Sequence, residues 1–354
     1  MQVKIVMVTF LVSHLRKFDG QSKAVLNFAK GLSNYVKVRI ISYYSIDPRL
    51  KDEIKGEVVS LNKKESITSL AFEFLFNKMS KDIAKLVTDD DKFIVANDDL
   101  ANVVSFVKDS SKLIYWSQGA LASLFMWPPF YTRDYFFRRL MGFFASSYNL
   151  RLYKGVKKYS VVLANSKTSA NIISLFYDRP PSEVIYPPLD VEYYSAHARK
   201  KVEKDYVLAF VKRGYKSDVE LLEKLAKRVK MKIVGLKVEG AEAHFNVPDE
   251  ELRELYCNAF VTLYPIKFEY FGYIPVESMA CGTPVIAYKF SGGPAETVVD
   301  KETGWLVNDE REFYQKVIEV WENGYEDKMR EKAVERAKEF SIENSTRKLM
   351  KYLS

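Results

Sequence analysis

Two glutamates that follow a predicted strand have side chains suited to binding a ribose or a hexose. Glu269 and Glu277 are separated by seven residues, and Gly272 lies between them. Because glycine lets the chain turn back tightly, both carboxylates can face one ligand. Each carboxylate accepts several hydrogen bonds, which suits neighbouring sugar hydroxyls. Taken alone, such a pair is more often two solvated acids near the start of a helix.

Two strand–loop–helix units are predicted around this pair. The apolar run at residues 260–265 is predicted to be a buried strand, and Pro275 fits the first turn of the helix that follows. A second strand at residues 285–288 leads to a pair of glycines and to another helix that begins at Pro294. Helices in this position bring N–H groups and a positive end to the carboxyl edge of a parallel sheet. An anionic ligand such as a sugar nucleotide binds at that edge.

The amino-acid sequence of these two units resembles that of the retaining GT-B glycosyltransferases of family 4. The resemblance rests on EYFGYIPVESMACGTPVIA from Glu269, on SGGPAET from Ser291 and on TGWLV from Thr303, and it extends over nearly the whole chain. It implies that Glu277 holds the ribose of the nucleotide and that Glu269 contacts the donor sugar. The donor-binding loop that it implies comprises Phe271, Gly272, Tyr273 and Ile274.

The resemblance also implies the domain organisation, which the length of 354 residues allows. We expect an α/β protein of GT-B type, with two Rossmann-like domains facing across a cleft. Residues 1–190 would form the acceptor domain and residues 191–340 the nucleotide-sugar donor domain. The helix at residues 341–354 would pack back on the first domain.

A basic loop after the predicted strand at residues 206–211 is the candidate site for the donor diphosphate. Relatives place an Arg and a Lys here, separated by a longer loop, which implies that Arg213 and Lys216 stabilise the leaving diphosphate. Lys212 is the alternative to Arg213. In the first domain, Gly20 lies where family members have a pair of glycines for phosphate binding, although this chain has Gln21 next to it.

Two further segments narrow the resemblance to the cytosolic-face mannosyltransferases that extend lipid-linked oligosaccharides. These segments are IYWSQG from Ile114 and VLANSKT from Val162. They imply that Gln118 and Asn165 lie on the acceptor or sugar side. Many such enzymes have a histidine where this chain has Gln118, whose amide donates a hydrogen bond but carries no charge. The expected partners are a UDP- or GDP-linked sugar and a glycan or lipid-linked acceptor.

An aromatic and basic stretch at residues 124–159 allows two interpretations. One is a buried helix with a basic exposed face, and the other is an element that contacts a membrane surface. The net charge of +8, from 54 Lys and Arg against 46 Asp and Glu, favours an anionic partner. No recognition helix or zinc-ligand spacing supports binding to nucleic acid.

We expect neither a metal nor a cofactor, because the sugar nucleotide is a substrate. The three histidines are widely spaced, and the acidic residues at 89–91 and 98–99 are interpreted as solvated turns. Cys257 and Cys281 are expected to be buried free thiols in a reducing compartment. No apolar run approaches the roughly 20 residues of a membrane span, so we expect a cytoplasmic protein that is peripheral on the inner face of the membrane.

The predicted reaction is retaining transfer of a hexose, such as mannose or glucose, from a nucleotide-diphosphate sugar. The departing phosphate would assist attack on the same face, while Arg213, Lys216 and helix N-termini stabilise its charge without a metal. The alternatives are transfer to a soluble acceptor, a GT-B epimerase or phosphorylase, and a nucleotide-sugar-binding protein without transfer activity.

Overall fold

The structure is a computed structural model that describes residues 6–17, 19–50, 52–66, 77–119, 148, 150–211 and 218–353. The chain forms two compact units. The first comprises Met1–Pro188 together with Ser345–Ser354, and the second comprises Leu189–Asn344. The division expected from the sequence was placed at residue 190, beside this boundary.

Within its described residues, the first unit contains one parallel sheet of seven strands in the order β3-β2-β1-β4-β5-β6-β7. The strands are β1 Met7–Val12, β2 Lys37–Tyr44, β3 Glu57–Lys63, β4 Asp91–Ala96, β5 Leu113–Ser117, β6 Val161–Ala164 and β7 Glu183–Val184. The helices with defined bounds are α1 Gly20–Leu32, α2 Lys78–Ala84 and α3 Lys167–Tyr177. The strand order reverses between β1 and β4, which is where ligands bind in such sheets.

The second unit contains a parallel sheet whose described strands run in the order β10-β9-β8-β11-β12-β13. The strands are β8 Val207–Phe210, β9 Met231–Val234, β10 Glu242–His244, β11 Thr262–Tyr264, β12 Val285–Tyr288 and β13 Gly304–Val307. The helices are α4 Val191–Ser195, α5 Val219–Ala226, α6 Asp249–Asn258, α7 Tyr273–Ala280, α8 Gly293–Thr297, α9 Glu310–Asn323, α10 Lys328–Lys338 and α11 Ile342–Met350. The reversal here lies between β8 and β11.

The start of α7 differs from the prediction for a clear reason. The helix begins at Tyr273, two residues before Pro275, because Gly272 adopts a φ of 78° and turns the chain into the helix. Pro275 therefore occupies the third helical position, where a missing N–H costs no intrahelical hydrogen bond. Strand β12 spans the residues that the apolar run predicts.

The last helix, α11, passes from the second unit into the first. The Ser345 hydroxyl donates to the carbonyl of Tyr186 at 2.8 Å. The Tyr352 hydroxyl donates to the Glu183 carboxylate at 3.1 Å. These bonds attach the chain after residue 344 to β7 and to the segment that follows it.

Two acidic residues that were expected to lie in solvated turns are buried. Asp91 is fully buried on β4, accepts a hydrogen bond from the amide of Thr88 at 2.7 Å and pairs with Arg39 at 3.3 Å. The Thr9 hydroxyl on β1 also donates to it. Asp98, beyond the end of β4, is 2% exposed. The expectation of solvated turns was wrong at these two positions, because neighbouring strands supply buried donors that the local sequence does not reveal.

The expectation of two free thiols was also wrong, because Cys257 and Cys281 form a disulfide. Their Cα atoms are 4.7 Å apart and both side chains are buried. Cys257 lies in the last turn of α6, and Cys281 caps α7. The 24-residue separation carries no disulfide signature, and the two cysteines meet only because these helices pack against each other.

Most of the aromatic and basic stretch lies outside the described residues, namely 124–147 and 149. In the described part, Tyr148, Leu152 and Tyr159 belong to the core of the first unit, while Lys154 and Lys157 are exposed. These residues therefore fit a helix with a buried face and a basic exposed face. In the part of the chain that is described, no helix combines the length and the apolar character needed to cross a membrane.

Candidate functional site

Glu277 is a buried carboxylate with a specific donor. It lies in α7 and is 5% exposed. The hydroxyl of Tyr256, in α6, donates to Oε2 of Glu277 at 2.8 Å. A buried carboxylate needs such a donor, because losing water without a replacement hydrogen bond is costly. This bond thus gives the buried Glu277 carboxylate a donor from the protein.

A second tyrosine brings Glu269 into the same site. Tyr264 is the last residue of β11 and is fully buried. Burial raises the pKa of its phenol well above the ordinary value, and the charges of Glu269 and Glu277 add to the shift. The Tyr264 phenol, at the carboxyl end of β11, therefore lies within electrostatic reach of both acids. Burial and the Glu277 charge likewise raise the pKa of Tyr256, so both phenols keep their protons.

Neither tyrosine carries a signal in the sequence. Tyr256 and Tyr264 are two of 23 tyrosines in the chain. They become part of the site because α6 and β11 end beside α7. The alternation of apolar residues predicts these elements but not the direction of their hydroxyl groups.

The loop between the two glutamates is held by the loop that precedes α8. The amide of Glu269 donates to the carbonyl of Ser291 at 2.9 Å, and the amide of Gly293 donates to the carbonyl of Glu269 at 2.9 Å. A Cβ on Gly293 would lie 2.3 Å from Cα of Phe271, so only glycine permits this approach. The two glycine turns of the sequence are therefore one packed structure.

The residues of the predicted donor loop have different environments. The Phe271 side chain is 4% exposed and packs against Phe340, with ring centroids 5.9 Å apart. It supports the loop from within. Tyr273 and Ile274 are half-buried at the start of α7.

The three basic residues of the predicted diphosphate loop, Lys212, Arg213 and Lys216, lie outside the described residues. Asp218, just after this loop, caps α5 by accepting a hydrogen bond from the amide of Leu221 at 3.2 Å. Burial, together with the nearby Glu310 carboxylate, raises the pKa of Asp218. Lys267 lies 3.8 Å from Asp218 and 3.0 Å from Glu310. A charged cluster that sequence reasoning missed therefore flanks the loop.

The carboxyl edge of the first sheet brings Gln118 and Asn165 together. The Asn165 amide donates to the carbonyl of Gln118 at 2.9 Å. The backbone N–H of Gln118 and the hydroxyls of Tyr115 and Ser117 donate to the Asp98 carboxylate, each at 2.6 Å. Burial raises the pKa of Asp98. The three hydrogen bonds oppose this rise but do not cancel it. Asp98 thus fixes the backbone from which the Gln118 side chain projects.

Two buried polar atoms at this edge lack a hydrogen-bond partner within the described part of the protein. They are Nε2 of Gln118 and Oδ1 of Asn97. Both side chains are more than nine-tenths buried. A buried donor and a buried acceptor without partners suit the hydroxyls of a polar ligand.

Gly20 is the first residue of α1, and the acid before it, Asp19, caps the N-terminus of that helix. The Asp19 carboxylate accepts a hydrogen bond from the amide of Ser22 at 2.7 Å and lies 3.4 Å from Nε2 of His14. Burial raises the pKa of Asp19, but the bonds from His14 and Ser22 outweigh it and hold the pKa below 3.8. A phosphate at Gly20 would therefore lie beside a negative charge.

No group of three or more His, Cys, Asp or Glu side chains is arranged to hold a metal ion among the residues that the structure describes.

Comparison with known proteins identifies a family match within the second unit. Residues 196–340 match the family described as glycosyl transferases group 1. The alpha-1,3/1,6-mannosyltransferase ALG2 of Dictyostelium discoideum is 40% identical over 95 residues, which are 27% of this chain and 22% of that protein. The human GDP-Man:Man(3)GlcNAc(2)-PP-Dol alpha-1,2-mannosyltransferase is 27% identical over 204 residues, which are 45% of this chain and 41% of that protein. The matched segments thus span less than half of either relative.

A solved structure matches almost the whole chain. HepE of Anabaena, in complex with UDP and glucose, superposes with a TM-score of 0.73 at 16% identity, over 98% of this chain and 99% of that one. At this identity the likeness shows the fold alone. The predicted α/β fold of GT-B type is confirmed.

Proposed function

We propose that this chain, whose residues 196–340 match the glycosyl transferases group 1 family, is a glycosyltransferase. It would move a hexose from a nucleotide-diphosphate sugar to a glycan or lipid-linked oligosaccharide. One observation carries the proposal: the Glu269 and Glu277 carboxylates both act on the buried phenol of Tyr264, at the carboxyl end of β11. This is the edge of a parallel sheet where nucleotides bind.

The donor would lie over the two glutamates. Glu277 is buried, and a carboxylate accepts several hydrogen bonds, so it suits the paired hydroxyls of a ribose. Glu269 precedes the glycine turn and would contact hydroxyls of the transferred sugar. The amides at the starts of α7 and α8 would face the phosphates, because helix N-termini favour anions.

Cations would stabilise the diphosphate as it departs. Arg213 and Lys216 are proposed for this role, with Lys212 as the alternative to Arg213. Fixed charges in a site that excludes water stabilise a developing anion strongly. Because both glutamates are occupied by the donor, we propose that the departing phosphate assists attack on the same face, with retention and without a metal.

The acceptor would bind at the carboxyl edge of the first sheet. Gln118 and Asn165 lie together there, and Nε2 of Gln118 and Oδ1 of Asn97 are buried donors and acceptors for hydroxyls. A lipid-linked acceptor is supported by the human relative, whose name includes such an acceptor. The basic face at Lys154 and Lys157 would then lie near anionic headgroups.

Nucleotide binding tests the donor site directly. Isothermal titration compares the affinities of the protein for UDP and GDP. The nucleotide that has the same base as the sugar donor should bind more tightly. Glu277→Ala should weaken that binding by roughly ten- to a hundredfold, since a hydrogen bond to a charged group contributes about 1.5–3 kcal/mol. Glu269→Ala should mainly lower the rate of transfer. Glu302→Ala is the matched control, since this acid is exposed and pairs with Lys332.

Transfer is measured with the sugar nucleotide and a lipid-linked acceptor, and the anomeric configuration of the product is read by NMR. Inversion would exclude the retaining route, and loss of transfer on chelation would exclude metal independence. Nucleotide binding without transfer or donor hydrolysis would identify a binding protein instead. Unchanged binding and transfer in both glutamate variants would refute the proposed site.

A further inference from the structure

Tyr256 connects α6 to the acid that we assign to the ribose. Its side chain is fully buried, and its hydroxyl donates to Oε2 of Glu277 at 2.8 Å. Because burial and the Glu277 charge raise its pKa, the phenol remains a hydrogen-bond donor. The bond is therefore directed, with the tyrosine as donor and the carboxylate as acceptor.

The tyrosine is itself held firmly. Its ring stacks on Phe210, with centroids 5.2 Å apart, and meets the ring of Tyr194 edge to face at 6.3 Å. Its carbonyl accepts a 2.7 Å hydrogen bond from the hydroxyl of Thr283, which follows α7. A side chain fixed in this way holds its hydroxyl at one position, because buried rings do not change rotamer without displacing their neighbours.

The disulfide gives a second connection between the same two helices. Cys257, next to Tyr256 in α6, is bonded to Cys281 at the end of α7. Glu277 lies one turn earlier in α7. The end of α6 is thus bound to α7 at the carboxylate, at the disulfide and at Thr283, so the two helices cannot slide without breaking one of these connections.

We propose that Tyr256 is a positioning residue that orients the Glu277 carboxylate for the ribose. This inference rests on the proposed function of Glu277. A carboxylate that accepts a hydrogen bond from a fixed donor is held in one orientation toward its ligand. Tyr256 acts through Glu277 and need not touch the nucleotide.

Removing the hydroxyl tests this role. Tyr256→Phe should weaken binding of UDP or GDP about tenfold, as expected for the loss of a hydrogen bond to a charged group. KM for the sugar nucleotide should rise while kcat changes little. Wild-type affinity and a wild-type KM in a folded variant would overturn the inference.

The matched control is Tyr206→Phe. The Tyr206 hydroxyl is also buried and donates to the carbonyl of Leu255 in α6 at 2.8 Å, but it does not contact Glu277. This variant removes an equivalent hydrogen bond from the same helix. It should bind the nucleotide within about twofold of wild type, because the hydrogen bond that it loses goes to a backbone carbonyl. An equal shift in both variants would assign the effect to α6 as a whole and overturn the specific role.

A double-variant cycle separates this inference from the proposed function. In the Glu277→Gln background, Tyr256→Phe should cause no further loss, because its target is already altered. If Glu277→Ala leaves binding unchanged, the proposed function fails. If Glu277→Ala weakens binding and Tyr256→Phe does not, only the inference fails.

A donor of similar shape provides the rescue. Replacing Tyr256 with p-aminophenylalanine restores an N–H donor at the end of the ring and should recover nucleotide binding. This comparison also decides the case in which Tyr256→Phe does not fold. A folded p-aminophenylalanine variant that binds no better than Glu277→Ala would overturn the inference.

Discussion

The amide of Gly293 donates a 2.9 Å hydrogen bond to the carbonyl of Glu269, and this bond leaves no room for a side chain between the two loops. The nearest atom to an added Cβ would be Cα of Phe271 at 2.3 Å, which is backbone and cannot rotate aside. The position of Glu269 therefore depends on a glycine that lies 24 residues later in the chain.

Gly293→Ala should displace the donor loop. We expect the free energy of unfolding to fall by about 1–3 kcal/mol, as for overpacking, and nucleotide binding to fall with it. Urea unfolding and isothermal titration measure the two effects. In Gly324→Ala, the added methyl has nothing within 4 Å but must adopt a φ of 76°, so it should lose about 1–2 kcal/mol and keep its nucleotide affinity. Equal affinity in both variants would contradict the packing argument.

Arg330 should contribute strongly to the stability of the second unit. It lies in α10, is 1% exposed, and its guanidinium reaches several backbone carbonyls. The partners are the carbonyls of Arg199, Ala259 and Cys257 and the hydroxyls of Thr283 and Tyr325. Arg330→Ala should lower the free energy of unfolding by about 3 kcal/mol or more, because these carbonyls lose a charged donor.

Lys338→Ala, in the same helix, is the control for Arg330. Lys338 is exposed and pairs with Glu335 at 2.6 Å, so its loss should change the free energy of unfolding by less than about 1 kcal/mol. Chemical denaturation of both variants makes the comparison. A similar small change in both would show that the Arg330 network does not stabilise the fold.

Asp19 should give the first unit a defined acid sensitivity. Its pKa in the folded state is lower than the 3.8 of the unfolded chain, so its contribution is present above that pH and is lost as the pH falls through the folded value. Asp19→Asn keeps a helix cap but removes the charge. The stability difference between wild type and variant should therefore shrink on acidification below about 4.

Asp309→Asn is the matched change at another helix cap. Asp309 caps α9 through the amide of Glu312 at 2.8 Å, without the contact that Asp19 makes to His14. Urea unfolding of both variants from neutral to acid pH shows whether the acid-dependent difference of Asp19→Asn is specific to the contact with His14. The same pH dependence in both variants would show that it arises from capping in general.

The disulfide should stabilise the second unit measurably. Replacing Cys257 and Cys281 together with alanine should lower the free energy of unfolding by about 3 kcal/mol, as expected for a loop of this length. Peptide mapping without reductant should recover the two cysteines in one linked peptide. Two reactive thiols in urea without reductant would show that the bond is absent, and then reductant would not change the stability of wild type.

Individual elements of the fold could be predicted where their signals are local, whereas the GT-B architecture was implied by the family resemblance. Strand β12 follows directly from a four-residue apolar run, and α8 begins where glycine and proline indicate. Helix α7 was predicted two residues short, because the φ of Gly272 decides its start. Boundaries of this kind depend on one backbone angle, which the apolar pattern does not encode.

The site could be predicted only where its residues lie in one segment. Glu269 and Glu277 are eight positions apart and share a turn, so their spacing points to a common ligand. Tyr256, Tyr264 and the Cys257–Cys281 bond depend on helices and strands packing across the unit. For the same reason Asp91 was taken for a solvated acid, because Thr9 and Arg39, which bind it, lie on other strands.

The position of helix α11 affects the order in which the two units complete their folding. Residues 345–353 belong to the first unit, yet the ribosome adds them after the whole second unit. Until then the carbonyl of Tyr186 lacks the hydroxyl of Ser345, and Glu183 lacks that of Tyr352. The unit that emerges first is therefore the one completed last, although domains ordinarily fold in the order in which they are synthesised.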